Sequence, residues 1–71
     1  MDWARIQADW QYYKGLVHLR WMKLSAADLD LIAGRRELLA AHIQQTYGIS
    51  KGAAQMQLES WQGRQREPGA A

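Results

Sequence analysis

The 71-residue chain has no cysteine and no phenylalanine, one proline, one valine and two histidines. Without cysteine there is no disulfide staple and no thiolate metal centre, so packing alone must hold the fold. The longest uninterrupted apolar run is Leu38-Leu39-Ala40-Ala41, far below the roughly 18 residues that cross a bilayer. Asp2, Arg5, Asp9 and Gln11 break every stretch near the N-terminus that would form the apolar core of a signal peptide. A cytoplasmic protein with no transmembrane segment is therefore expected. Strand formers are also scarce: Ile, Val and Thr number 6, against 27 for Ala, Leu and Gln. That balance favours helix throughout.

Leu, Ile and Val make up only 13 of the 71 residues, a content close to the level at which chains lack a core. Four tryptophans and three tyrosines supply the missing bulk, and a net charge of +2 leaves little self-repulsion. The result is one small folded domain, expected over residues 1–62. The stretch 63–71 holds Gly63, Pro68 and Gly69 and no apolar side chain larger than alanine. It is expected to be a disordered tail, because burial there cannot offset the entropy of ordering.

Trp3, Ile6, Trp10, Tyr13, Val17, Trp21 and Leu24 recur every three or four residues and trace one helical stripe. Gly15 lies inside that stripe, and the spacing predicts a bend or a break near Lys14-Gly15. Ser25 reads as an N-cap with Asp28 reaching back to it, flanked by Leu24 and Leu29 as a staple. Leu29 and Ile32 continue the buried face to a break at Gly34. Leu39, Ile43 and Tyr47 form the next stripe, which ends where Gly48 supplies a left-handed residue. Ser50 caps a last helix carrying Ala54, Leu58 and Trp61. Short linkers between four to five short helices favour helical hairpins.

Few residues combine into chemistry. His18 and His42 have no second His, Cys or carboxylate at helical spacing, so neither starts a metal site. Asp28 and Asp30 are two residues apart and point to different faces of a helix, and Ser25 and Ser50 are accounted for as caps. No catalytic, metal or cofactor residue is assigned, and the chain is read as a non-enzyme. The tryptophans are read as core, with Trp3 the most exposed because it sits at a terminus; a stacking platform or a membrane-surface face is the competing use of those rings. Leu16, Leu19, Leu31 and Leu38 lie off the stripes, and serve either as filling or as a contact with a second copy or a protein partner. A sharper alternative is weak nucleic-acid binding. Residues 43–58 follow a helix-turn-helix pattern, with Arg35, Arg36 and Lys51 as the candidate cations. Gln44 and Gln57 depart from that pattern.

The segment from Trp21 to Arg36, WMKLSAADLDLIAGRR, followed by IQQTYGIS from Ile43 to Ser50, resembles the CsbD-like family of small bacterial stress-response proteins. Trp10, Lys14-Gly15, Ala54 and Trp61 extend the likeness over residues 5–61. The resemblance implies an all-α, SAM-domain-like bundle of two packed helical hairpins. It also implies a part in general or osmotic stress and no catalytic residue, and carries no mechanism with it. Joined to the residues, it gives a protein expected to act through abundance or through protein contacts, with no cofactor. Met22, Ala26-Ala27 and Ala41 depart from the family's usual residues.

Overall fold

A computed structural model describes residues 2–65. They form α1 (Trp3–Ala8), α2 (Trp10–Arg20), α3 (Ala26–Ile32), α4 (Arg36–Tyr47) and α5 (Lys51–Gly63), with no strand among the described residues. This is the expected all-helical bundle, at the upper end of the expected count. Each helix packs on its neighbour in sequence, α4 on α5 most extensively.

The helix ends follow from local chemistry. Ser25 Oγ accepts the Asp28 N–H at 3.1 Å, and Asp28 Oδ2 accepts the Ser25 N–H at 3.1 Å, a complete capping box for α3. Ser50 Oγ accepts the Ala53 N–H at 3.1 Å and starts α5. Gly48, at φ 62°, closes α4 with its N–H on the Gln44 carbonyl. Between α3 and α4 two consecutive residues take positive φ, Ala33 at 51° and Gly34 at 80°.

The first break is not where the sequence places it. Gly15 sits inside a continuous α2, and the interruption is at Asp9, with φ −109° and ψ 37°. Hydrogen bonds from Asp9 N–H to Arg5 O and from Tyr13 N–H to Asp9 O, both 3.1 Å, run up to the break from either side. The cause is tertiary. The Trp3 indole donates to the Gly34 carbonyl at 2.8 Å, which draws α1 toward the α3–α4 turn. Asp9, a poor helix former at an exposed position, takes the bend.

The stripes converge on one core: Ile6, Trp10, Tyr13, Val17, Trp21, Leu24, Leu29, Ile32, Leu39, Ile43, Ala54, Leu58 and Trp61 are all buried. Trp3 and Tyr47 are half-buried, and each has its polar end bonded. The Tyr47 hydroxyl accepts the Lys23 N–H at 3.1 Å. At the centre, the Trp61 ring lies 6.1 Å from Trp3, 6.5 Å from Tyr13 and 5.9 Å from Trp21, so α5 closes against both N-terminal helices. Gly63 is the last residue of α5, and Arg64 N–H bonds to Trp61 O at 3.1 Å. Most of the expected tail, residues 66–71, lies outside the described residues.

The two interior glycines have opposite roles. A Cβ on Gly34 would meet Gln7 Cγ at 2.9 Å and Gln7 Cα at 3.0 Å, whereas one on Gly15 meets nothing within 4 Å. Gly34→Ala is expected to cost about 2–3 kcal/mol, from the positive φ together with the clash against α1. Gly15→Ala is expected to stabilise by about 1 kcal/mol, the ordinary gain in a helix interior. Urea melts of the two variants check both signs.

Candidate functional site

Three indoles act as cross-links between helices. Trp10 Nε1 donates to Leu29 O at 3.0 Å, tying α2 to α3, and Trp3 holds α1 to Gly34. Trp21 Nε1 donates to Gln57 Oε1 at 3.0 Å, and Arg20 Nη2 approaches the same oxygen at 3.5 Å. Gln57, a misfit in the helix-turn-helix pattern, is thus the acceptor for a fully buried indole. No local spacing links positions 21 and 57, so sequence periodicity could not show it.

The titratable groups are engaged in the same way. Asp28 caps α3 and lies 3.8 Å from His42 Nδ1 across the α3–α4 hairpin. Its carboxyl is held below the ordinary carboxylate value by the hydrogen bonds from Ser25, with a smaller contribution from His42. Asp30 pairs with Lys14 at 3.3 Å, so the two acids of α3 serve different partners. His18 Nδ1 lies 3.0 Å from the Leu24 carbonyl. Among the described residues no three His, Cys, Asp or Glu side chains gather as a metal-ligand set.

The three candidate cations are distributed over the α4–α5 hairpin. Arg36 Nη1 donates to Gln55 Oε1 at 2.6 Å, Lys51 stands exposed on the first turn of α5, and Arg35 is the exposed N-cap residue of α4. Lys51 and Gln55 line a groove of about 410 Å³ floored by Ala40 and Ala41, with Glu37 and Gln44 completing its wall. Of the three cations only Lys51 lines this groove; Arg36 touches it through Gln55, and Arg35 is not part of its wall. The off-stripe leucines divide: Leu16 and Leu38 pack against the core, while Leu19 and Leu31 stay 71% and 70% exposed. Tyr12, Met22 and Met56 join them as large apolar side chains in solvent.

Comparison with known proteins adds the lineage. A UPF0337 protein of Rhodopseudomonas palustris is 39% identical over 86% of this chain and 92% of its own length. A UPF0337 protein of Agrobacterium fabrum is 43% identical over 92% of this chain and 97% of its own. The chain belongs to the UPF0337 family, the CsbD-like family. The UPF0337 protein YjbJ of Escherichia coli, 36% identical over 79% of this chain and 81% of its own, extends the relationship to a further bacterium. No family model matches the chain, and no solved structure matches it. UPF0337 is a bacterial family to which no specific function is assigned. Among the described residues, no helix of this UPF0337 chain is long and apolar enough to cross a membrane.

Two outcomes follow from the polar contacts. Gln57→Ala removes the acceptor of the Trp21 indole and is expected to cost about 1–2 kcal/mol, whereas in a Trp21→Phe background, which has no indole N–H left to strand, the same substitution should cost less. A double-mutant cycle by urea unfolding measures it. Because the Asp28 pKa is depressed by folding, its contribution is present above the ordinary carboxylate value of about 3.9 and is lost as pH falls through the lower folded value. Acid unfolding of Asp28→Asn should therefore show a shallower loss of stability below about pH 4 than the parent chain.

Proposed function

We propose that this chain is a non-enzymatic protein of the bacterial cytoplasm, active in general or osmotic stress through contacts with other proteins. The stress setting comes from the likeness to the CsbD-like family carried by the Trp21–Arg36 and Ile43–Ser50 segments. One observation supports action by contact. Groups suited to chemistry serve the fold, Asp28 and Ser25 in the α3 cap and His18 at the Leu24 carbonyl, while Leu31 and Met56 remain 70% and 72% exposed. Large apolar side chains left in water on two helices are places where a partner gains by covering them. The nucleic-acid reading draws less support. Glu37 shares the groove wall with Lys51, which weakens the local field for phosphates, and neither Arg35 nor Arg36 lines that groove.

Complementation of a bacterial strain lacking the gene tests the proposal. Under high-salt growth, the parent gene and a His42→Gln, Glu59→Gln variant are expected to restore survival equally. A Leu31→Asn, Met56→Gln variant is expected to restore little, although circular dichroism should show the same helix content. The reverse pattern would point to chemistry at the polar groups, and an unaffected deletion strain would remove the stress role.

A further inference from the structure

We propose that the corner where α2 turns into α3 docks on an anionic lipid bilayer, with Leu19 and Met22 entering the headgroup layer beside Arg20 and Lys23. This goes beyond the protein contacts argued above and uses a different part of the surface.

Charge is the first observation. From Trp10 to Ala27 the chain carries Lys14, Arg20 and Lys23 and no acidic residue. Lys14 is paired with Asp30. The other two lie over aromatic faces: Arg20 Cζ is 5.1 Å from the centre of the Trp21 ring, and Lys23 Nζ is 5.3 Å from that of Tyr47. A ring orients a cation without neutralising it, so both charges are held in place and remain available to an anion.

Exposure is the second. Leu19 and Met22 are three residues apart at the same corner and stand 71% and 70% in solvent. They are mounted rigidly, because Trp21 between them and Leu24 beyond them point inward. Trp21 and Leu24 are fully buried, the Leu24 N–H bonds to Trp21 O at 3.1 Å, and the Lys23 N–H bonds to the Tyr47 hydroxyl at 3.1 Å. The corner is thus pre-organised, and little freedom is lost on docking.

The chemistry favours a bilayer over a protein. Among the described residues, Leu31 and Met56 have no such pair of aromatic-held cations beside them, whereas Leu19 and Met22 stand next to Arg20 and Lys23 in a stretch without a carboxylate. That combination matches a headgroup layer. It takes a small apolar wedge flanked by cations of one sign, and anionic lipid adds attraction for each cation near the surface. The tryptophans have no part in this docking, since Trp21 faces the core.

The absence of cysteine makes the test direct. Met22→Cys and, separately, Leu31→Cys in the full chain are each labelled with an environment-sensitive dye and mixed with vesicles of phosphatidylcholine alone or containing phosphatidylglycerol. The dye at position 22 is expected to shift to the blue on phosphatidylglycerol vesicles only, and the dye at position 31 is expected to stay unchanged. In flotation, Arg20→Gln with Lys23→Gln should weaken binding about tenfold or more, and Leu19→Asn with Met22→Asn should also weaken it. The proposal is overturned if the parent chain does not float, floats equally on both vesicles, or shifts the two dyes alike, or if both double variants float as the parent does. Binding of a DNA duplex that depends on Arg20 and Lys23, with none to vesicles, would assign the corner to nucleic acid instead.

Discussion

A buried indole brings a large apolar surface into the interior together with one N–H that must find an acceptor there. In a chain without phenylalanine and with few aliphatic residues, the indoles are the main filling, so this requirement shapes the rest of the molecule. Trp10 uses the Leu29 carbonyl, Trp3 the Gly34 carbonyl and Trp21 the Gln57 side chain. Each bond joins segments distant in sequence. Trp61 then receives three rings around its own, and the C-terminal helix is locked onto the N-terminal pair. The bend at Asp9, the bare backbone at Gly34 and the polar residue at position 57 are consequences of seating these rings.

With the rings turned inward, the outer surface is left to charges, small residues and a few unaccommodated apolar side chains. The polar groups nearest to a reactive arrangement, Asp28 and His42, meet at a helix cap and join two helices. The turn between α4 and α5 shares its Gly48 and Ser50 punctuation with helix-turn-helix modules because any tight link between helices needs a left-handed residue followed by a cap. Likeness of that segment therefore speaks to the turn, and the surrounding charges must speak to binding. The same logic moves attention from the aromatic residues to the α2–α3 corner, where cations and exposed aliphatic groups coincide.

Several features were legible from residue order. The Ser25 and Ser50 caps, the left-handed Gly48 and the break at Gly34 depend on groups within a few positions of one another, and each stands where local chemistry puts it. Gly15 misled for an instructive reason: propensity marks where a helix is weakest, whereas a bend occurs where packing demands one. Leu16 and Leu38 pack against the core while Leu19 and Leu31 do not, although all four have similar positions relative to the stripes. Which leucines are covered depends on how far the neighbouring helix reaches. The role of Gln57 and the meeting of Asp28 with His42 were invisible for the same reason, since the pairs form only after the helices have crossed.

Sequence alone determined the helical class, the stripes that enter the core and the residues that end most helices, because these are set by periodicity and by hydrogen bonds spanning three or four residues. Family membership was likewise carried by residue order. Tertiary structure decided which carbonyl or amide satisfies each indole, where the first helix bends and which apolar side chains remain in water. Those outcomes turn on distances between segments far apart in the chain, and such distances exist only once the rings have packed around Trp61.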